Sequence, residues 1–445
     1  MSEQHAVVAL RGPLVYFVDD PFLTDPAAAF VHEADGLVLC RGGLIEAVGP
    51  AATLLPMVPA GVLVTDYRHG LISAGFIDTH VHYVQSGIIG AYGGQLLDWL
   101  SQYAFAAEQA FADPAHAAAM AEHFCDELLR NGTTSAMVFC AVYPQSVDAL
   151  FEAATRRNMR VIAGKVLMDR NAPAALRDTP QRGYDESKAL IQRWHGRGRN
   201  LYAITPRFAP TCSPEQLELA GTLWREHPDA FVQTHVSESV REVEWVRQLF
   251  PARAGYLDVY DHYGLIGQRA MLAHGVHLTE AELTRCHDSG TALAHCPTSN
   301  LFLGSGVFRL AAAKDPRRPV HVGLGTDIGA GTSFSLLATL NEAYKVAQLD
   351  GQRLDPLRAF FLATLGGARA LGLEDRIGTL RAGNEADVIV LDPNATPLLR
   401  ARCERCRSIE ELLFVLMTLG DDRTVMASYV AGKLAHQRDA ESPVN

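Results

Sequence analysis

Eight short apolar segments recur between residues 75 and 326, and they constrain the fold more than any other feature of the sequence. Longer amphipathic segments, such as 115–130, 214–226 and 336–347, follow several of them. Strand-length apolar segments that alternate with helix-length amphipathic ones are typical of parallel βα units. Eight such units predict an α/β fold, a (β/α)8 TIM-like barrel. The predicted strands are 75–82, 134–140, 161–168, 203–208, 231–237, 271–276, 292–296 and 321–326.

The two ends of the chain have a different character, because short strands broken by Gly and Pro turns prevail there. Segments 7–18 and 36–48 indicate strands near the start, and 375–392 and 424–433 indicate strands near the end. Neither end has enough strands for a two-layer core. We therefore predict one small β-sandwich domain built from both termini. The predicted sandwich comprises residues 1–70 and residues 375–445, the latter with a helical segment at 409–419. The predicted barrel, residues 71–374, is inserted between these two parts.

The composition favours a protein that acts on a small molecule. The formal net charge is -11 and no long Lys/Arg run occurs, so binding to nucleic acid is not expected. The longest nearly apolar stretch, 412–419, is far shorter than the roughly 18 residues that span a bilayer, and residues 1–5 do not resemble a secretory signal. Together with eight scattered cysteines, these features predict a soluble cytoplasmic protein without a membrane partner. Cys403 and Cys406 form a CxxC pair, either half of a zinc site or two thiols near the start of a helix.

Metal-ligating side chains stand at the ends of the predicted barrel strands, where the active sites of such barrels lie. His80 and His82 are two residues apart and project from one face of the first strand. His235, His274 and Asp327 end the fifth, sixth and eighth strands. Each alone could be a buried, hydrogen-bonded group. Imidazoles and a carboxylate that converge at one barrel mouth match Zn²⁺ or another borderline divalent ion, so the sequence predicts a metal site.

Further polar residues near these strand ends allow hydrolysis. A divalent ion with an open position lowers the pKa of bound water toward about 7 and yields hydroxide at neutral pH. Glu238 could then move a proton from that water to a leaving group, or it could be an exposed glutamate that caps the next helix. Asp327 could also accept the proton of the hydroxide, and His274 could hold the attacking oxygen or the developing charge. His295 is either a rival ligand or a supporting residue of the site.

Beyond spacing, several segments resemble a known family. Ala-Gly-Phe-Ile-Asp-Thr-His-Val-His at 74–82, His235, His274-Gly and Gly-Leu-Gly-Thr-Asp at 323–327 resemble the mononuclear amidohydrolase superfamily. Within it, Leu-Leu-Asp-Trp-Leu at 96–100 and Pro-Arg-Phe at 206–208 resemble the guanine deaminases. The resemblance covers nearly the whole chain. It implies a hydrolase acting on C-N bonds in cyclic amidines, which converts guanine to xanthine and ammonia with a zinc-activated hydroxide in purine catabolism.

The resemblance also implies roles for individual residues. The Zn²⁺ ligands would be His80, His82, His235 and Asp327, with one ion per subunit, and such a site accepts Fe²⁺ as well. The catalytic residues would be Glu238 as proton shuttle, His274 as its partner, and Asp327. The family's relatives form homodimers, so a homodimer is implied too.

The purine-binding residues implied by the resemblance are Gln85, Arg207 and Phe208, with His235 and Asp327 beside them. Their chemistry suits guanine, since an amide donates and accepts, a guanidinium donates to O6 or N7, and a phenyl ring packs on the purine face.

The sequence departs from the family pattern at two positions: Ala74 stands where proline is usual, and Ser86 where tyrosine is common. The second change lies near the predicted pocket and could widen specificity. A related aminohydrolase acting on 8-oxoguanine, a pterin or a triazine is therefore the alternative. A non-catalytic scaffold is the less favoured hypothesis, because such relatives have lost ligands that this sequence retains.

Overall fold

The computed structural model describes residues 7–438, so the outermost parts of both predicted terminal segments, 1–6 and 439–445, lie outside the described residues. The first five strands are β1 (Val7–Phe17), β2 (Phe30–Arg41), β3 (Leu44–Pro50), β4 (Val64–Asp66) and β5 (Leu71–Ala74). Strands β1, β2 and β3 are antiparallel neighbours, and β4 and β5 run parallel to β1.

The strand predicted at 36–48 is wrong, because two strands meet within that range. β2 and β3 form a hairpin whose turn is Gly42 and Gly43, with φ values of 59° and 85°. Glycine adopts such positive φ angles without the steric cost that other residues incur.

Residues 76–324 contain nine short strands: β6 (Phe76–His82), β7 (Thr133–Phe139), β8 (Arg160–Gly164), β9 (Val166–Leu167), β10 (Leu201–Pro206), β11 (Phe231–Val236), β12 (Ala270–His274), β13 (Ala292–His295) and β14 (Val322–Leu324). All of these except β9 form a nearly closed parallel barrel in the order β6-β7-β8-β10-β11-β12-β13-β14. The predicted third strand is split at Lys165 into β8 and β9, and β9 pairs only with β10. The segment after β14 meets β6 through hydrogen bonds from Asp327 N to His80 O (2.9 Å) and from His82 N to Ile328 O (3.0 Å). The predicted (β/α)8 barrel is thus confirmed.

Helices cover the barrel, and several start with proline after a polar capping residue. Asp113 and Ser213, for example, accept hydrogen bonds from backbone N–H groups of the first turn, where proline loses no hydrogen bond. The main helices are Pro114–Arg130, Pro144–Arg156, Pro180–Trp194, Pro214–Glu226, Val240–Leu249, Tyr256–His262, Glu280–Ser289, Pro297–Phe302, Leu336–Leu349, Pro356–Ala363, Leu365–Ala370, Pro397–Cys403 and Ile409–Leu419. Short helices are Pro26–Ala29, Ala51–Leu54, Leu96–Trp99, Phe105–Gln109 and Leu310–Ala313, and a π-helical turn covers Leu100–Ala104. None of the helices within 7–438 is long and apolar enough to cross a membrane.

The last strands return to the first sheet. β15 (Val388–Leu391), β16 (Val425–Val430) and β17 (Lys433–Gln437) extend it in the order β17-β16-β15-β5-β1-β2-β3. β15 pairs antiparallel with β5, so both termini contribute to one sheet as predicted. The strand predicted at 375–392 is shorter than expected, since Gly378 and Gly383, with φ of 88° and 93°, place its first part in turns. The domain boundaries at 70/71 and 374/375 stay predictions.

The helix Ile409–Leu419 belongs to the core. Leu413, Leu416 and Met417 are buried, and the helix packs against Leu336–Leu349 and Pro356–Ala363. Cys403 and Cys406, which precede it, are partly exposed free thiols, and burial raises the pKa of Cys403 to about 11. No second pair of ligands stands with them among residues 7–438.

A buried ion-pair cluster joins the barrel to the C-terminal segment. The carboxylate of Glu385 accepts hydrogen bonds from the Nε atoms of Arg160 and Arg199, each at 2.9 Å. Asp387 forms a second pair with Arg199 at 2.6 Å. Removing one member of such a cluster leaves an uncompensated buried charge.

We therefore expect Glu385→Ala to lower the free energy of unfolding by about 3–5 kcal/mol, because two arginines lose their shared acceptor. Urea denaturation followed by circular dichroism measures this. The control is Glu244→Ala, which removes a half-exposed partner of Arg247 and should change stability by less than about 0.5 kcal/mol. A similar small change for both variants would contradict a stabilising role of the cluster.

Candidate active site

A cavity of about 400 Å³ opens at the carboxyl ends of the barrel strands. Its polar lining consists of His82, Gln85, Arg207, His235, Glu238, His274 and Asp327. Its apolar walls are Leu96, Trp99, Leu100, Phe208, Leu303 and Ala330. All the catalytic and substrate-binding residues predicted from the sequence line this one cavity, and His80 adjoins it.

The predicted ligand atoms converge at its base. The Nε2 atoms of His82 and His235 are 3.1 Å apart, and Asp327 Oδ1 lies 3.2 Å from His80 Nε2 and 3.4 Å from His82 Nε2. The buried nitrogens His80 Nε2 and His274 Nε2, which face the cluster, make no regular hydrogen bond within residues 7–438. Buried polar atoms normally have partners, so these nitrogens fit a site that binds a ligand. The donor set of imidazoles and one carboxylate suits a divalent transition metal.

Neighbouring groups orient two of the imidazoles. His235 Nδ1 donates to the main-chain oxygen of Arg207 at 2.6 Å, which leaves Nε2 directed at the cluster. His274 Nδ1 lies 2.9 Å from Asn300 Oδ1, so its Nε2 faces Glu238 and Asp327. A hydrogen bond on one ring nitrogen fixes the tautomer and the direction of the other.

The backbone at the cluster is held in an uncommon conformation. His274 and Asp327 have φ values of 72° and 51°, in the left-handed region that disfavours side chains with a Cβ. Such positions persist only where the surrounding structure over-determines them, and they concentrate at functional sites.

Burial and charge set the protonation states at the cluster. Burial lowers the pKa of His80 and brings those of His82 and His235 well below their usual range, so these rings are neutral. For Asp327, burial raises the pKa, but the surrounding histidines outweigh it and bring the pKa to about 2. Neutral imidazoles and an ionised carboxylate are the states in which these side chains bind metal.

Glu238 is not the exposed capping residue that the sequence left open as an alternative. Its side chain is 4% exposed, and the cap of the next helix is Ser239, paired with Glu242. Its Oε1 accepts a hydrogen bond from the Ser305 hydroxyl at 3.0 Å, and its Oε2 lies 3.4 Å from His274 Nε2. Burial raises the pKa of Glu238 to about 7. For His274, burial lowers the pKa, but the charges of Glu238 and Asp327 outweigh it and leave the pKa raised.

The predicted substrate residues stand on the other side of the cavity. Arg207 is 2% exposed, which rules out a surface ion pair, and it forms a buried ion pair with Glu108. Gln85 Nε2 donates to the same carboxylate at 2.9 Å, and Gln85 Oε1 accepts from Gly329 N at 3.3 Å. Phe208 forms part of the apolar wall.

Several residues of the site were not identified from the sequence. Asp78 stands inside 74–82, a segment that carries the family resemblance, and this resemblance is the signal that could have identified it. Asn300 follows the predicted strand 292–296 by four residues, without a pattern of its own. The Asp78 carboxylate accepts from the backbone N–H groups of His80 (3.2 Å) and Thr326 (3.1 Å), and thereby ties two strand ends together. Glu108 and Ser305 lie in segments without a pattern of their own.

His295 and Ser86 lie near the site without lining the cavity. The ring of His295 is buried against Phe308, with 4.7 Å between centroids, and it is not among the histidines whose nitrogens converge. Burial lowers the pKa of His295 to about 3. The hydroxyl of Ser86 donates to the main-chain oxygen of Tyr83 at 2.7 Å.

Comparisons with known proteins agree with this geometry. The profile of the amidohydrolase family matches residues 71–435. The guanine deaminase of Escherichia coli K12 is 51% identical over 442 residues, 99% of this chain and 100% of that protein. Its solved structure superposes with a TM-score of 0.95 over 97% of this chain and 100% of that one. A guanine deaminase from C. acetobutylicum, solved with bound guanine, is 28% identical with a TM-score of 0.85, over 96% of this chain and 100% of that one. The chain therefore belongs to the amidohydrolase family and, within that family, to the guanine deaminases.

Proposed function

We propose that the chain hydrolyses guanine to xanthine and ammonia with the help of one Zn²⁺ per subunit. The observation that carries the proposal is the meeting, in one cavity, of a buried cluster of imidazoles and a carboxylate with Gln85, Arg207 and Phe208, the residues proposed to bind the purine. The full-length identity to guanine deaminases supports the choice of substrate.

The proposed metal ligands are His80, His82, His235 and Asp327. Three neutral imidazoles and an ionised carboxylate match the preferences of Zn²⁺, and the same set accepts Fe²⁺. When bound, a divalent ion makes water acidic enough to act as a nucleophile at neutral pH. The chain supplies the cavity, the orientation of the ligands and the groups that move protons.

Glu238 is the proposed proton shuttle. In the reaction, a C–O bond forms at C2 of guanine, the C–N bond breaks, and the amino group leaves as ammonia. The Glu238 carboxylate takes a proton from the attacking water and delivers it to the departing nitrogen. A pKa near 7 suits both transfers at neutral pH.

His274 and Asp327 complete the proposed catalytic group. His274 Nε2 lies between Glu238 Oε2 (3.4 Å) and Asp327 Oδ2 (3.8 Å), so it can donate to the oxygen that attacks the ring. The ionised Asp327 accepts the remaining proton of that oxygen, and this proton passes on to ring nitrogen N3, so neutral xanthine forms and both carboxylates return to their starting state. A positioned donor where negative charge develops stabilises the transition state.

Arg207, Gln85 and Phe208 are proposed to orient the purine. The guanidinium donates to O6 or N7, the Gln85 amide pairs with a further polar atom of the ring edge, and Phe208 packs on the face. His235 and Asp327 border the reacting carbon. Ser86 donates its hydroxyl to the main chain and does not line the cavity, so this hydroxyl is not proposed to contact the ring.

Steady-state kinetics of the zinc-loaded protein test the proposal. Ammonia release from guanine is compared with release from 8-oxoguanine, adenine, cytosine and a pterin, with a triazine as a further alternative. The proposal requires guanine to have the largest kcat/KM by a wide margin. Turnover of another ring alone would keep the metal site but replace the substrate, and an inert protein with full metal content would favour the scaffold hypothesis.

Replacement of Arg207 by glutamine should lower kcat/KM for guanine by about 10²-fold or more. A site built to hydrogen-bond its substrate loses much of its binding of the transition state when that bond is removed. Metal content should stay at the wild-type level, since the main-chain oxygen of residue 207 still accepts from His235. Kinetics and elemental analysis measure the two effects.

The control for this change is Arg170→Gln. Arg170 donates to the main-chain oxygen of Ala209 and does not line the cavity, so its kcat/KM should stay within about twofold of wild type. If Arg207→Gln lost its metal along with its activity, the assignment of residue 207 to the substrate would fail.

The homodimer and the place in purine catabolism rest on the resemblance to relatives, and the cytoplasmic location rests on features of the sequence. All three stay predictions.

A further inference from the structure

Glu108 is a buried carboxylate that the proposed mechanism leaves without a role. It lies in the short helix Phe105–Gln109, directly after the segment whose residues Leu96, Trp99 and Leu100 form one wall of the cavity. Its side chain is fully buried. A buried carboxylate is costly unless it is paired and hydrogen-bonded, so its partners are the key to its function.

Both partners of Glu108 are proposed substrate residues. Oε1 accepts from Gln85 Nε2 at 2.9 Å, and Oε2 accepts from Arg207 Nη1. The guanidinium carbon also lies 5.4 Å from the centre of the Phe105 ring, on the same helix. One helical turn therefore holds Arg207 by charge and by a cation–π contact.

The hydrogen bonds around Gln85 allow only one orientation of its amide. An ionised carboxylate accepts and does not donate, so the amide nitrogen must face Glu108. The backbone N–H of Gly329 requires an acceptor, and Gln85 Oε1 faces it at 3.3 Å. With the amide reversed, oxygen would face the carboxylate and nitrogen would face an N–H, which leaves two groups unsatisfied.

We infer that Glu108 is the positioning residue that makes the cavity select a 6-oxo purine over a 6-amino purine. The inference rests on the proposed function. Arg207 presents only donors, which suit a carbonyl oxygen and oppose an amino group. Glu108 fixes the direction of the Arg207 donors and balances their positive charge. It also prevents rotation of the Gln85 amide. A rotated amide would present its oxygen to a 6-amino group.

The test is Glu108→Gln with two purines that share the 2-amino group. Guanine carries O6, and 2,6-diaminopurine carries an amino group in its place. A glutamine side chain at 108 can accept from only one of its two partners through its oxygen and presents N–H to the other. We expect KM for guanine to rise at least about tenfold, while Ki of 2,6-diaminopurine as a competitor stays unchanged or falls.

The ratio of KM for guanine to Ki for 2,6-diaminopurine separates positioning from general damage. A merely structural role of Glu108 would weaken both purines in parallel and leave the ratio within about twofold of wild type. Such a result in a folded variant would overturn the inference. Wild-type protein that fails to deaminate guanine would instead overturn the proposed function, on which the inference rests.

Two further variants complete the experiment. Asp178→Asn breaks another buried carboxylate pair, with Lys165, away from the cavity; it should lower the melting temperature and leave the ratio unchanged. Glu108→Asp keeps the charge but is one methylene too short to reach both partners. If Glu108→Gln does not fold, Glu108→Asp must still raise the ratio by about threefold or more, and an unchanged ratio would overturn the inference.

Discussion

Glutamine in place of Glu238 should lower kcat for guanine by about 10³-fold or more, within the range that a positioned acid–base group contributes. The amide has the size of the carboxylate and can still accept from the Ser305 hydroxyl, so the cavity should keep its shape. It cannot take a proton from water and return it to the leaving nitrogen. KM and metal content should therefore change little, and stopped-time ammonia assays with elemental analysis measure all three quantities.

Glu242→Gln is the matched control for that experiment. Glu242 is a fully buried glutamate four residues further on, outside the cavity lining, and it accepts hydrogen bonds from Glu238 N (2.8 Å) and Tyr256 OH (2.7 Å). An amide oxygen can preserve one of these bonds, so we expect a loss of less than about tenfold in kcat. Comparable losses in the two variants would show that local packing, and not proton transfer, limits the Glu238 variant.

Removal of the metal should abolish deamination, with a fall of about 10³-fold or more that stoichiometric Zn²⁺ restores. The reason is that water without a bound ion keeps a pKa near 15.7 and supplies almost no nucleophile at neutral pH. The melting temperature should fall as well, because an ion that binds only the folded chain stabilises it. Chelation, elemental analysis and thermal denaturation of the same samples test both effects.

Histidine variants locate the ion independently of activity. His235→Ala removes one ring of the cluster and should purify with far less than one metal ion per chain. The exposed His262, in the helix Tyr256–His262, provides the control, and His262→Ala should retain the ion. Full metal content in the His235 variant would place the ion elsewhere.

The sequence predicted best those features of the fold and the site that a local pattern of residues determines. The barrel strands were predictable because each is a short apolar run, and His80, His82, His235, His274 and Asp327 were recognisable because they stand where those runs end. The strand predicted at 36–48 failed because apolar residues stand on both sides of the turn at Gly42 and Gly43, so the two strands resemble one continuous strand.

Features that depend on distant partners were beyond the reach of spacing. The environment of Glu238 is formed by Ser305 and His274, which face it from positions 67 and 36 residues away in the sequence. Glu108 reaches Arg207 across 99 residues of sequence, from a segment whose π-helical entry no simple periodicity marks. Burial decides the chemistry of both carboxylates, and burial here is a property of the assembled barrel.

The pairing of β5 with β15 has a consequence for biosynthesis. β5 leads directly into β6, the strand that carries His80 and His82. Val388 of β15 pairs with Ala74 of β5, so this neighbour of β5 is made only after the whole barrel. Until then the nascent chain presents an open sheet edge next to the strand that carries two of the proposed metal ligands, and such edges favour aggregation. A chain whose synthesis ends between the barrel and β15 therefore lacks the strand that flanks β5, the strand that leads into His80 and His82.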